Sequence, residues 1–415
     1  MLRRIGPRAV PAARRDAVDP LTLAAAAEIV GDVRDGGVPA LRALAQRWDG
    51  LRDGGDLVLG REALEAAAAD VDPSTIALLR RCAARIEAFA RAQRASLQDV
   101  TVDVPGGQAG HTWAAVERAG CYAPGGRFHL PSTVLMTVIP ARVAGVASVV
   151  VASPRPAAVT LAAAWVAGAD AVLVCGGAQA VAALTYGVGI EPVDVIVGPG
   201  NRWVTAAKQL VVGRVGIDML AGPSELLVIA DGDADPARIA ADLLAQAEHD
   251  PDAIPVLVSP DAALLDAVDA ELLRQLETLP TAETAAAAIA GQGLAVLVAD
   301  LTEAVAVSDR IAPEHLQLMV DDPAALAPAH YGALFIGSDA AEVLGDYAAG
   351  PNHVLPTGSG ARFGGGLSVA DFLRMRTWLR IDDAAAAAGV VDDAVELARL
   401  EGLEGHARAA AARRK

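Results

Sequence analysis

The strongest constraint on the fold is an alternation of two segment types through the middle of the chain. Short runs rich in valine and isoleucine lie at residues 148–153, 171–177 and 193–200, and alanine- and leucine-rich runs separate them at residues 156–168 and 178–187. Continuously apolar strands are typical of a parallel sheet that helices cover on both faces. The repeat of about 23 residues is long enough for one βα unit. The pattern therefore predicts an α/β fold.

The alternation starts again after residue 225. Further strand-like runs lie at residues 226–231, 255–260, 295–300 and 334–337. Residues 21–95 are mostly helical in pattern, and the chain after Arg380 is helical with no strand signal. We therefore predict two Rossmann-like parallel-sheet domains, a helical N-terminal segment and a helical C-terminal tail.

Composition restricts the partners. The chain has 415 residues, which favours more than one domain, and a formal net charge of −17, which argues against a nucleic-acid surface and allows a cationic small substrate. The apolar stretch 143–183 is interrupted by prolines and charges, so we expect no membrane span. Three widely spaced cysteines and the lack of a signal-peptide pattern predict a cytoplasmic protein.

Two glycine-rich turns follow predicted strands, at Gly176–Gln179 and Gly198–Asn201. Ligands in open parallel sheets gather at the carboxyl ends of strands, and a helix N-terminus offers N–H groups that suit phosphate. Neither turn has the GxGxxG spacing, so ordinary turn chemistry explains them equally well. A third turn, Tyr122–Gly126, places an aromatic ring beside a tight bend.

Gln246 and His249 end a predicted helix that begins near Pro236. Residues three apart share a helix face, so an amide oxygen and an imidazole could ligate one metal ion. The more common explanation of a histidine near a helix C-terminus is stabilisation of the helix dipole.

Glu314 and His315 are adjacent and follow a helical stretch. Neighbouring side chains point in different directions, so we expect two separate chemical groups rather than a hydrogen-bonded pair. The alternative is a charge pair at a helix end.

The other polar candidates lie in a loop and in the tail. Asp346 and His353 belong to a segment rich in glycine, proline and asparagine, which is typical of a structured loop. In the tail, we expect Gly402 to interrupt the helix and let Glu401 and His406 converge. A solvated helix face is the alternative for these two.

Taken together, these segments resemble the histidinol dehydrogenase family. The matching motifs, in order along the chain, are YAPGG, CGGAQA, VGPGN with VTAAK, IDMLAGPSE, QAEH, PEHL, GDYAAGPNHVLPT and EGLEGH. Eight ordered motifs make chance similarity implausible. Small departures, Pro351 and Asp250, replace no reactive group.

The resemblance implies one Zn²⁺ per subunit and NAD as cofactor. The implied metal ligands are Gln246, His249, Asp346 and His406, with His406 supplied by the other subunit of a homodimer. A site of nitrogen and oxygen donors also accepts Mn²⁺ or Co²⁺. The implied NAD contacts are Tyr122, Gln179 and Asn201. The implied substrate contacts are Ser224, Gln246, His249, His315, Asp346, His353, Glu401 and His406.

The implied activity is the NAD-dependent, two-step oxidation of L-histidinol through L-histidinaldehyde to L-histidine, which ends histidine biosynthesis. In this interpretation His315 is the general base, and Glu314 activates the water that adds to the aldehyde. The alternatives are a related zinc- and NAD-dependent dehydrogenase of another polyol or sulfonated alcohol, and a non-catalytic dinucleotide-binding module.

The resemblance also implies a division into domains. Residues 18–121 and 224–365 would form the first α/β domain, with the metal and the catalytic residues. Residues 122–223 would form the second, which contacts NAD. Residues 1–17 and 366–415 would form an extended, mainly helical dimerisation tail.

Overall fold

The computed structural model describes residues 1–10, 18–125 and 129–414. Gly126 of the third glycine turn and residues 11–17 of the predicted tail lie outside the described residues. Within the described ranges the strands form three sheets, two of them dominated by parallel pairing. The predicted α/β fold is confirmed.

The strands are β1 (Arg3–Ile5), β2 (Val58–Gly60), β3 (Val100–Val104), β4 (Gly107–Ala115), β5 (Arg118–Tyr122), β6 (Ser148–Ala152), β7 (Ala171–Leu173), β8 (Val195–Val197), β9 (Gly216–Ile217), β10 (Glu225–Ala230), β11 (Ile254–Ser259), β12 (Leu294–Leu297), β13 (His315–Met319), β14 (Ala333–Ile336) and β15 (Leu373–Ile381).

The α-helices are α1 (Pro20–Asp49), α2 (Arg61–Ala69), α3 (Pro73–Ser96), α4 (Pro131–Ala144), α5 (Ala158–Ala167), α6 (Gly177–Tyr186), α7 (Arg202–Val211), α8 (Pro236–Ala247), α9 (Ala262–Leu276), α10 (Ala282–Gln292), α11 (Leu301–Ile311), α12 (Glu342–Leu344), α13 (Ala388–Leu400) and α14 (Glu404–Ala411). In the described part of the chain, none combines the length and apolar character that crossing a bilayer requires.

The first sheet is parallel throughout, in the order β1-β12-β11-β10-β13-β14. Every residue of β10, β11 and β13 is buried, as expected for central strands with helices on both faces. β10 and β13 are neighbours, with Leu226 opposite His315. The residues that precede these two strands therefore meet at the amino edge of the sheet.

The second sheet has the order β2-β7-β6-β5-β8-β9, with β2 antiparallel to its neighbour and the other pairs parallel. Tyr122 ends β5, and the two glycine turns at 176 and 198 follow β7 and β8. All three turns therefore lie at the carboxyl edge of this sheet.

The packing divides the chain differently from the predicted domains. β5 lies at the centre of the second sheet, between β6 and β8. All of β5 except Tyr122 belongs to residues 18–121, which were predicted to lie in the first domain. β2 pairs with β7, and α1 packs against α6 and α7. Residues 119–122 are buried, so their backbone N–H and C=O groups need a neighbouring strand on each side to form hydrogen bonds. The helical N-terminal segment thus packs on the second sheet, not on the first.

A third, antiparallel sheet joins β3, β4 and β15 in the order β15-β4-β3. None of these strands was predicted from the sequence pattern, and β15 lies in the segment predicted to be mainly helical. Beyond it the predicted helical tail is present as α13 and α14.

Candidate active site

The carboxyl edge of the second sheet and the amino edge of the first sheet share a cavity of about 100 Å³. Gly198, Pro199 and Gly200 line it from the second sheet, and Ser224 and Glu314 line it from the first. His353, from the segment after α12, completes its wall. Four sequence motifs that are distant along the chain therefore meet in one place.

A larger cavity of about 610 Å³ lies at the carboxyl edge of the second sheet. Tyr122, Gln179 and Asn201, the three residues predicted to contact NAD, all line it. Its volume is in the range of sites for small molecules and cofactors. The turn at 198–201 contributes Gly198–Gly200 to the small cavity and Asn201 to the large one, so it forms a shared wall.

Side chains already bond several N–H groups that the sequence analysis considered for phosphate. The carboxylate of Asp49 accepts from Gly176 N and from Gln179 Nε2, both at 3.0 Å. Tyr122 Oη accepts from Gly177 N at 3.0 Å. Asn201 Oδ1 caps α7, accepting from Trp203 N at 3.1 Å.

A buried ion pair holds the shared wall. Lys208 Nζ donates to Gly198 O and to Asp218 Oδ1, each at 2.6 Å. Asp218 Oδ2 accepts from Gly198 N at 2.7 Å. Gly198 has φ +112° and lies against the backbone of Tyr122, so a side chain would fit neither the conformation nor the space.

Glu314 and Glu225 bond reciprocally across the amino edge of the first sheet. Glu314 Oε2 accepts from Glu225 N at 2.9 Å, and Glu225 Oε2 accepts from Glu314 N at 3.3 Å. Glu225 Oε1 also accepts from Gly358 N at 3.0 Å. Burial raises the pKa of Glu314 to about 7, so its carboxyl group exchanges protons near neutral pH.

His315 is held from one side and open on the other. Its Nδ1–H donates to the carbonyl of Glu225 at 3.0 Å, and its ring stacks on Phe335 with centroids 6.1 Å apart. Its buried Nε2 has no hydrogen-bond partner within 3.5 Å that satisfies bonding geometry, although Asp346 Oδ1 lies 3.5 Å away. The Nδ1 bond therefore leaves Nε2 as the basic atom.

Glu314 and His315 are closer than the sequence analysis expected. Their Oε2 and Nδ1 atoms are 3.6 Å apart, so the side chains converge although they are neighbours along the chain. Burial by itself lowers the pKa of His315, but the carboxylates of Glu314, Asp346 and Glu342 outweigh it and raise the pKa to about 10. His315 Nδ1 bonds the Glu225 carbonyl rather than Glu314, but the 3.6 Å approach makes the two groups an ion pair when His315 is protonated, so the expectation of two separate groups is only partly met.

Asp346 lies in a single π-helical turn, Gly345–Ala349, a feature often found at functional sites. Burial opposes its ionisation, but the imidazoles of His315, His353 and His249 outweigh this and lower its pKa. His353 Nδ1–H donates to the carbonyl of Asp346 at 2.8 Å, and its Nε2 is 3.2 Å from Thr133 Oγ1. Burial lowers the pKa of His353, which favours the neutral imidazole.

Gln246 and His249 each have a side-chain atom that could ligate a metal ion. Gln246 is 1% exposed, yet neither its Oε1 nor its Nε2 has a hydrogen-bond partner within residues 1–10, 18–125 and 129–414. Such an orphaned amide is costly unless something absent from the chain satisfies it. His249 Nδ1–H donates to the carbonyl of Gln246 at 3.1 Å, which leaves Nε2 as the lone-pair nitrogen.

Glu342 and Gln317 lie in the same neighbourhood, and the sequence analysis did not identify them. Both are fully buried, and their side-chain oxygens have no hydrogen-bond partner among the residues that the structure describes. Burial, opposed by His315 and assisted by the carboxylates of Asp346 and Asp242, raises the pKa of Glu342 to about 8. The only available signal was that Glu342 precedes Asp346 by four residues. Glu225 was visible in the GPSE motif but was given no role.

The single chain does not bring the tail residues to this site. Glu401 and His406 are exposed, and the apolar residues of α13 and α14 form a small cluster of their own. Gly402 has φ +76° and separates the two helices, as predicted. Among the described residues, no three His, Cys, Asp or Glu side chains gather as a metal site. Within one chain, the predicted ligand set is therefore incomplete.

Comparison with known proteins places this geometry in a family. The histidinol dehydrogenase family model matches residues 13–414. Histidinol dehydrogenase of Rhizobium meliloti is 48% identical over 397 residues, which cover 93% of this chain and 90% of the relative. That of Pseudomonas syringae pv. syringae is 46% identical over 392 residues, covering 92% and 87%.

A solved structure agrees with the sequence comparisons. The crystal structure of histidinol dehydrogenase from Elizabethkingia anophelis matches with a TM-score of 0.92 and 30% identity, over 99% of this chain and 98% of that chain. The family model spans nearly the whole chain, and six of the eight motifs contribute residues to the walls of the two adjoining cavities. This chain belongs to the histidinol dehydrogenase family.

Proposed function

We propose that this chain oxidises L-histidinol through L-histidinaldehyde to L-histidine, with NAD as the hydride acceptor in both steps. The observation that carries the proposal is the turn at 198–201. It separates a cavity of cofactor size from a small cavity lined by Glu314 and His353. Because both cavities adjoin this turn, it would bring a cofactor bound in one close to a substrate bound in the other.

His315 supports the first oxidation. Removing the hydroxyl proton requires a base that is not already engaged, and among the described residues the buried Nε2 of His315 has no hydrogen-bond partner. Its orientation is fixed by the bond from Nδ1 to the Glu225 carbonyl. The carboxylates around His315 hold its proton strongly, and a dication at Asp346 would offset them, lower the pKa of the imidazole and leave its Nε2 lone pair available at neutral pH.

Glu314 supports the second oxidation, because the aldehyde must add water before it can lose another hydride. A carboxylate with a pKa near 7 is suited to taking a proton from that water at neutral pH. A thiol route is disfavoured, since burial raises the pKa of the Cys121 thiol to about 12 and also raises that of Cys175.

The residues present suit a divalent cation. Gln246 Oε1, His249 Nε2 and Asp346 are nitrogen and oxygen donors, and the orphaned amide of Gln246 is the observation in favour of a bound ion. We propose Zn²⁺, with His406 of the partner subunit as the remaining ligand. When bound, the ion would grip the imidazole and amino nitrogens of the substrate and retain the aldehyde between the two steps.

We propose three further substrate contacts. Two are Ser224 and His353 of the same chain, and the third is Glu401 of the partner subunit. Ser224 and His353 line the small cavity. The proposal thus includes a homodimer with shared active sites. A cytoplasmic location is also part of it, because the three cysteines are unpaired, which suits a reducing compartment.

The stoichiometry of NADH tests the proposal. The purified protein, supplied with histidinol and excess NAD, should form two NADH per histidinol consumed, and histidine should be the product. One NADH with accumulating aldehyde would contradict the two-step assignment. The alternative of another polyol or a sulfonated alcohol as substrate is not favoured, since the relatives at 46% and 48% identity are histidinol dehydrogenases. Turnover of those alcohols but not of histidinol would revive it.

A further inference from the structure

The large cavity that we propose for NAD, called the cofactor cavity below, is lined by few charged side chains. Among the described residues that line it, the charged ones are Asp49 and Arg155. The Asp49 carboxylate already accepts hydrogen bonds from Gly176 N and Gln179 Nε2. A dinucleotide carries two negative charges on its pyrophosphate and must place them in this cavity, in a chain whose formal net charge is −17.

Side chains of the protein already accept hydrogen bonds from several N–H groups at the helix N-termini beside the cavity. Side chains of Asp49 and Tyr122 bond the N–H groups of Gly176 and Gly177 at the start of α6. Asn201 bonds the N–H groups of Trp203 and Val204 at the start of α7. A carboxylate at the first of these termini repels a phosphate from the place where a helix dipole would otherwise attract it.

Arg155 is the cation that remains. Its guanidinium has no hydrogen bond or ion pair among the described residues, and its side chain is exposed in the cavity wall. Its stem passes over Gly50, where a Cβ atom would lie 3.4 Å from Arg155 Cδ. The charge is therefore supported by the end of α1 and is free to receive an anion.

The backbone at Arg155 is strained. Its φ is +45°, in the left-handed region that non-glycine residues seldom occupy, and prolines lie on both sides of it. Strain of this kind is concentrated at ligand-binding positions. Glycine at this position would remove the strain, so an arginine here requires an explanation from its side chain.

We propose that Arg155 binds the pyrophosphate of NAD and supplies the main phosphate contact of this site, in place of a glycine-rich helix N-terminus. A guanidinium presents paired donors that match phosphate oxygens. The inference rests on the proposed function, because it takes NAD as the ligand of the large cavity.

Ligand binding in the absence of substrate tests the assignment. Trp48 and Trp203 line the same cavity, so quenching of tryptophan fluorescence reports binding without turnover. Dissociation constants for NAD, ADP-ribose and adenosine are measured for wild type and for Arg155→Met, Arg155→Lys and Arg155→Gly. Arg47→Met is the matched control, since Arg47 stacks on Trp48 but does not line the cavity.

In Arg155→Met, NAD and ADP-ribose should bind ~10–100-fold more weakly, the range for a lost charge-assisted contact, while adenosine binds as in wild type. Arg155→Lys should retain part of the affinity, and Arg47→Met all of it. Arg155→Gly should lose the same affinity as Arg155→Met yet melt at a higher temperature, because the strain is relieved.

Three results would overturn the inference. One is unchanged binding of NAD by Arg155→Met, and another is an equal loss of adenosine, which would indicate general damage to the cavity. If wild-type protein binds adenosine but neither NAD nor ADP-ribose, the proposed cofactor fails together with the role of Arg155. Unchanged NAD binding in the variant, with wild-type binding intact, removes the role of Arg155 alone.

Discussion

At the scale of single residues, the chemistry depends on how Glu225 holds its neighbours. Its backbone N–H bonds the Glu314 carboxylate and its carbonyl bonds His315 Nδ1, so one strand end orients both groups. Because β10 and β13 are adjacent and parallel, this arrangement is fixed by their register. Two groups of different pKa are thereby placed a few ångströms apart.

We expect Glu314→Gln to slow the aldehyde step more than the alcohol step, because the proposed mechanism activates water only in the former. His315→Asn should impair both steps, by ~100–10,000-fold. The two steps are measured separately by supplying histidinol or histidinaldehyde with NAD. Glu283→Gln, at an exposed position on α10, is the matched control. Equal and mild losses in both steps for both variants would refute the division of roles.

Glu342 predicts a pH dependence of stability. Burial raises its pKa to about 8 in the folded protein, against 4.5 for an ordinary glutamate. The folded state therefore holds the proton more tightly than the unfolded state, so stability falls as the pH rises from about 4.5 to about 8. Each tenfold difference in proton affinity corresponds to about 1.4 kcal/mol.

Glu342→Gln removes this titration. In chelator-treated protein, the melting temperature of Glu342→Gln relative to wild type should therefore rise between pH 5 and pH 8. Thermal unfolding followed by circular dichroism at both pH values measures it, with Glu283→Gln as the control that shows no such change. A difference from wild type that stays constant with pH would mean that Glu342 is already ionised in the folded state.

At the scale of elements, the two parallel sheets were predictable and the third sheet was not. Strands such as β10 and β11 are continuously apolar, and their burial on both faces produces that pattern directly. β4 contains Gly107, Gly110 and His111, is only partly buried, and pairs with β15, more than 250 residues later. No local apolar period marks such a strand, since its partner comes from the tail.

The same difference of scale applies to the site. The motifs identified Gln246, Glu314, His315 and Asp346 because each stands in a distinctive local sequence. Glu342 gains its character only from the groups that fold around it. Asp49 is similar, since the end of α1 reaches the cofactor cavity through packing on α6 and α7. The residues next to Glu342 and Asp49 in the sequence do not indicate the groups that each of them meets in the fold.

The exposed apolar side chains of the tail helices α13 and α14 predict an interface with a second subunit. Leu397 and Leu400 on α13 are 60% and 79% exposed, and the apolar cluster of α13 and α14 includes no residue from elsewhere in the described part of the chain. We expect this apolar surface to be covered by the second subunit. Leu397→Glu should therefore convert dimer to monomer in sedimentation experiments, without unfolding the two α/β sheets. Asp393→Asn, at an exposed position on the same helix, should remain dimeric.

At the scale of the whole molecule, the position of the tail separates the proposed ligand His406 from the other three proposed ligands within one chain. Gln246, His249 and Asp346 lie around the first sheet, whereas His406 is exposed on α14, which follows the third sheet. If two subunits exchange their tails symmetrically, each site receives its missing ligand and the dimer closes with two equivalent sites. Leu397→Glu should then also reduce activity, because monomers would lack the fourth ligand.

Mixing two inactive variants tests this exchange. His249→Ala and His406→Ala chains should each be inactive alone. If His406 serves the partner, a mixed dimer has one intact site and one site that lacks both ligands, so its activity should approach about half that of a wild-type dimer. Differently tagged chains, mixed under conditions that exchange subunits and purified for both tags, isolate the mixed dimers. Verified mixed dimers without recovered activity would mean that His406 acts within its own chain, and the tails would then join the subunits without sharing the chemistry.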